Sequence, residues 1–97
     1  MIDITKRKNG FTIEGHANFA ESGKDIVCAA VSTLAQVFVS SVEKLTNDEM
    51  ECIISEKDGF FDVEYKKLSE KSNTLLASFF IGVEMIAEEY PENIKVN

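Results

Sequence analysis

The chain has 97 residues, 44% of them hydrophobic and 28% charged, with a single proline and two cysteines. That describes one globular domain with one modest core, and it excludes both a disordered chain and a disulfide scaffold. Seventeen acidic against ten basic residues give a net charge of −7, which disfavours nucleic acid and anionic lipid as ligands and favours a cationic partner.

Residues 2–7 and 11–14 alternate as short strands, Ile2 and Ile4 then Phe11 and Ile13, with Asn9-Gly10 as the tight turn between them. Between the second strand and the first helix lies Gly15–Lys24, GHANFAESGK, an aperiodic loop with glycine near both ends. Its length is that of a lid as well as of a connector. The first helix is expected from Asp25 to Thr46, capped by Asp25, with Ile26, Ala29, Ala30, Leu34, Val37, Phe38, Val42 and Leu45 on its apolar stripe and Val27, Val31 and Val39 widening it.

A second hairpin follows at 51–66, turning at Asp58-Gly59. A second helix spans about Ser72 to Tyr90 and stops before Pro91; Leu75, Leu76, Phe79, Phe80, Val83, Met85 and Ile86 nearly encircle it. Ile94-Lys95-Val96 reads as an edge strand. The fold class is α+β, one domain over residues 1–97: two helices packed with an antiparallel sheet in ββαββαβ order. No apolar run reads as a membrane span, and Met1-Ile2-Asp3-Ile4 does not read as a signal peptide. The expected location is therefore cytoplasmic, with both thiols free.

The only histidine, His16, opens the loop, and Cys28 stands at the third position of the helix behind it. Unpaired N–H groups and the helix dipole favour an anion there, so the thiolate is expected to gain and the Cys28 N–H to serve an oxyanion. An imidazole brought back by the loop would complete a Cys–His nucleophile pair. A cysteine among Val27, Ala29 and Val31 also reads as a small buried hydrophobe, and a lone histidine as a surface residue. Asp25 caps the helix, orients His16, or does both. Cys52, in a strand beside Ile53, is expected to pack. One histidine and two scattered cysteines give no zinc spacing, and no glycine-rich phosphate loop is present, so neither metal nor cofactor is expected.

Gly15-His16-Ala17, five variable residues, Gly23, one more, then Asp25-Ile26-Val27-Cys28-Ala29-Ala30-Val31-Ser32 fix twelve of eighteen positions. This pattern resembles the ribosomal-processing cysteine protease family. The resemblance implies a bacterial, homodimeric endopeptidase that removes the N-terminal extension of a large-subunit ribosomal protein, cutting after aromatic residues. It implies Cys28 as nucleophile, His16 as general base and Asp25 as a third member. Phe19 and Gly23 would meet the peptide, Gly23 as a hinge. Two other readings stand beside it: a non-catalytic dimeric binding module for a basic ribosomal protein or assembly factor, which needs the acidic face and the apolar helix but not the thiol, and a redox-sensing thiol at Cys28.

Overall fold

A computed structural model describes every residue except Ser22 and Glu56, one in the loop and one in the second hairpin. The order is β1 (Ile2–Arg7), β2 (Gly10–Glu14), α1 (Ile26–Leu45), β3 (Met50–Ser55), β4 (Phe60–Tyr65), α2 (Glu70–Glu89) and β5 (Ile94–Val96). The strands form one sheet in the order β3-β4-β2-β1-β5. Three of its four pairings are antiparallel, and β5 closes the far edge parallel to β1, with Ile2 opposite Ile94. The sheet is thus mixed by one short strand, which the helical crossover through α2 delivers in that direction.

Alternation decides which face is covered. Ile2, Ile4, Phe11, Ile13, Phe61, Val63 and Ile94 are buried in the same core cluster as the inner residues of both helices. At its centre is Phe11, fully buried, its ring 4.7 Å from that of Phe79 and 5.7 Å from that of Phe38. Phe38 is a packing residue, as expected.

Two local readings shift. The first turn lies at Lys8 and Asn9, because Arg7 pairs with Gly10, and no positive φ occurs there among the described residues. Gly10 instead serves a cross-strand approach: a Cβ at that position would run into the carbonyl of Val63. The buried stripe of α1 is Val27, Val31, Ala35, Phe38 and Val42, while Ile26, Val37 and Leu45 are exposed. A helix with apolar residues on two faces cannot announce which one the sheet takes.

Helix α1 runs twenty residues and carries no charge before Glu43. By length and composition it is apolar enough to cross a bilayer, contrary to the sequence reading. Its buried stripe gives it the role of a core helix. Helix α2 starts two residues earlier than expected, capped by Ser69, whose hydroxyl accepts from Ser72 N–H. Ser72 is wholly buried, its own hydroxyl reaching Thr46 Oγ1 at the end of α1.

Candidate active site

The entry to α1 is built around one carboxylate. Asp25 Oδ1 accepts from the N–H groups of Val27 and Cys28, both at 3.0 Å. Its Oδ2 accepts from Phe19 N–H at 3.0 Å and Ala20 N–H at 3.4 Å. Asp25 is thus both the expected N-cap and a clasp between helix and loop. Burial raises its pKa, but the four backbone donors, Cys28 first, outweigh that and hold the carboxyl below the ordinary aspartate range. Among the described residues none of its hydrogen bonds comes from His16, although both residues line one cavity.

The sulfur of Cys28 is half-buried and accepts a hydrogen bond from Ala17 N–H at 3.3 Å. Burial pushes this thiol above its ordinary value; Ala17 N–H opposes it, and the Asp25 carboxylate adds to the rise by charge and hydrogen bonding. Burial and the Asp25 carboxylate thus work against the help that the helix N-terminus gives a thiolate. The helix mouth is already occupied by an anion, and a second one beside it is disfavoured. The same bond removes Cys28 N–H as an oxyanion donor, because Asp25 holds it.

His16 is exposed at the head of the loop and shares with Cys28 a cavity of about 700 Å³. Ser32, Gln36, Ile54 and Phe61 also line it. Ser32 and Gln36 stand one and two turns beyond Cys28 on the same face of α1. His16 and Cys28 are brought to one cavity, and among the described residues no hydrogen bond joins them. Gly23 lines the cavity with φ +87, and open space surrounds the place of a Cβ. Phe19 is not among the lining residues: its ring stands edge-on to Tyr90 at 5.3 Å.

The loop is fastened more closely than its composition implies. Besides the Asp25 clasp and the Phe19–Tyr90 contact, Asn93 Nδ2 donates to Ala17 O at 2.9 Å. Gly15 N–H donates to Gly59 O at 2.8 Å. Sequence reasoning missed Tyr90, Asn93 and Gly59 because each acts from a distant segment, with no local pattern to mark it. Cys52, expected to pack, is exposed on β3, an edge strand that the helices do not cover. Burial of its sulfur, with Asp62 and Glu43 nearby, pushes that thiol up as well. Among the described residues no group of three metal-ligating side chains converges.

Residues 1–95 match the sequence profile of the peptidase family described as Cysteine protease Prp. The chain belongs to that family. It is 32% identical to the Ribosomal processing cysteine protease Prp of Bacillus subtilis, over 99% of this chain and 96% of that protein. It is 34% identical to the protein of the same description from Mycoplasma genitalium, over 100% and 95%. Among solved structures, it is similar to the Prp protease of Staphylococcus aureus in complex with a covalently linked product peptide. There the TM-score is 0.89 at 28% identity, covering 99% of this chain and 95% of that one. The same protease with a substrate peptide superposes with a TM-score of 0.84. These matches make the molecule a cysteine protease, with a peptide as the class of substrate.

Proposed function

We propose that this chain is a bacterial endopeptidase that removes the N-terminal extension of a large-subunit ribosomal protein. The observation that carries it is the Cys28 sulfur opening, with His16, onto one cavity at the mouth of α1 in a member of the Prp family. The relatives named for ribosomal processing support the substrate class.

Cys28 is the nucleophile and His16 the general base. Because the thiol is held protonated at rest, its proton leaves for the imidazole as the peptide carbonyl arrives. The sulfur then bonds to the carbonyl carbon, and the imidazolium protonates the departing amine as the C–N bond breaks. A water deprotonated by His16 hydrolyses the resulting thioester and frees the thiol. With Cys28 N–H held by Asp25 and the Ser55 hydroxyl donating to Asp58, the uncharged polar side chains on the cavity wall for the oxyanion include Asn18, Ser32 and Gln36. Asp25 acts through the loop: its clasp on Phe19 and Ala20 sets where the chain carrying His16 lies. Gly23, with positive φ and free space, is the hinge by which that loop admits the peptide, and Phe19 meets the substrate only when the loop leaves Tyr90.

The apolar side chains left exposed on the helices, Val37, Ile81 and Met85 among them, support a homodimer as the working form. Sedimentation equilibrium would give twice the 10.8 kDa chain mass. A ribosomal-protein substrate supports the cytoplasm as its place of work.

The decisive experiment is mass spectrometry of a synthetic peptide spanning such an extension, incubated with purified protein. Time-dependent cleavage is expected, lost in Cys28→Ala and reduced by roughly 100-fold or more in His16→Ala. Turnover by Cys28→Ala at the wild-type rate would end the assignment.

A further inference from the structure

We propose that Gly59, in the turn between β3 and β4, is a positioning residue for the general base. Its missing side chain is the seat of the His16 imidazole. This rests on His16 acting as the base, and it adds a second segment of the chain to the site.

The turn and the loop meet closely. Gly59 O accepts from Gly15 N–H at 2.8 Å, which anchors the residue immediately before His16. A Cβ placed on Gly59 would stand 2.9 Å from His16 Nε2, 3.0 Å from its Cε1 and 2.8 Å from the carbonyl oxygen of Gly15. Contacts that close are not tolerated, and of the three atoms the ring atoms are the ones free to move. Any L side chain at position 59 therefore displaces the imidazole from where it lies and presses on the Gly15 carbonyl that precedes it. Gly59 and His16 both line the cavity that holds Cys28, so the seat is a wall of the reaction chamber. The ring is otherwise exposed, and an exposed imidazole gains its orientation from such a wall. Displacing a reacting group by about 1 Å costs on the order of 100-fold in rate.

Gly59 also has φ +61, which offers a competing explanation: the turn simply needs a left-handed residue. Asparagine separates the two requirements. It adopts that conformation, as Asn18 does here with φ +56, yet it carries a Cβ. The experiment compares wild type, Gly59→Ala and Gly59→Asn in three measurements: kcat and KM on an extension peptide, thermal unfolding, and the ¹H–¹³C resonance of the imidazole Cε1–H. His16 is the only histidine, so that signal needs no assignment.

The expected result is kcat about 10- to 100-fold lower in both variants with KM within about twofold, and a displaced imidazole resonance. Gly59→Asn should unfold closer to wild type than Gly59→Ala does. Wild-type or higher kcat in Gly59→Asn would overturn the proposal, since the turn conformation alone would then account for the glycine. So would a loss of kcat with the imidazole resonance unmoved. If no form cleaves the peptide, the protease reading fails, and the resonance shift in folded Gly59→Asn still decides whether the ring is seated there.

Discussion

At Cys28 two influences of similar reach oppose each other. A helix N-terminus stabilises a thiolate by roughly one pKa unit or more, but here the N–H groups that would do so are spent on Asp25. What the sulfur meets is partial burial and a neighbouring carboxylate, offset by one N–H from Ala17. The sign follows directly: a raised thiol pKa leaves less thiolate at every pH below it, so the resting enzyme reacts slowly with a simple alkylating agent. In a Cys52→Ser background, the iodoacetamide rate at Cys28 should keep climbing through pH 9, the ordinary value for the thiol. Asp25→Asn removes the charge and should move that rise to lower pH. It should also turn an amide N–H₂ toward the Phe19 and Ala20 N–H groups, releasing the loop. The variant is thus expected to carry a more acidic thiol and a slower peptidase, with kcat/KM down about 10-fold and stability down about 1 kcal/mol from the weakened cap. A wild-type alkylation rate already level below pH 8 would show that the helix dipole wins after all.

The two helices, α1 and α2, approach closely at Gly82. A Cβ on Gly82 would lie 3.0 Å from Leu34 Cδ1 and 3.3 Å from Cδ2, the movable end of a half-buried side chain. Glycine costs a helix about 1 kcal/mol relative to alanine, so its place at this crossing is explained by closeness rather than propensity. Gly82→Ala should lie within about 1 kcal/mol of wild type in urea unfolding, Leu34 yielding while the helix gains. Gly82→Val overfills the crossing and should lose roughly 1–3 kcal/mol. Equal stability for both would mean that the helices are free to separate.

What the sequence discloses at this scale is whatever is decided within a few residues. The Asp25 cap, the left-handed Gly59 turn, the stop before Pro91 and the spacing of His16 and Cys28 are of that kind. Gly10 looked like a turn glycine because its reason, the Val63 carbonyl, comes from another strand. The face of α1 was misplaced because two apolar stripes compete and only the sheet chooses between them. Asp25 read as a cap first and as a partner of His16 second, and its two loop donors, Phe19 and Ala20, had no mark in the sequence.

For the molecule as a whole the unexplained quantity is charge. A net −7 on 97 residues lies toward the upper end of what keeps a small domain dispersed, and it destabilises the compact state by self-repulsion. Its distribution gives a reason to retain it. Beyond the Cys28 cavity, α1 and β3 continue to border a depression in which five carboxylates, Glu43 and Glu49 among them, stand against Arg7, Lys66 and Lys67. Arg7 is already engaged by Asp62 at 2.8 Å. A basic polypeptide approaching along this side meets an attractive field before it meets the thiol, and such steering raises association rates by about 10-fold or more at low ionic strength. Chemistry at the sulfur, once the peptide is bound, does not depend on that field. Raising sodium chloride from about 50 to 500 mM, which shortens the screening length to a few ångströms, should therefore lower kcat/KM for a lysine-rich extension substrate several-fold and leave kcat unchanged. A peptide with the same residues around the cut but no net charge should show no such fall. If both peptides respond alike, the acidic surface has no part in substrate capture, and only the cavity at the mouth of α1 selects what is cleaved.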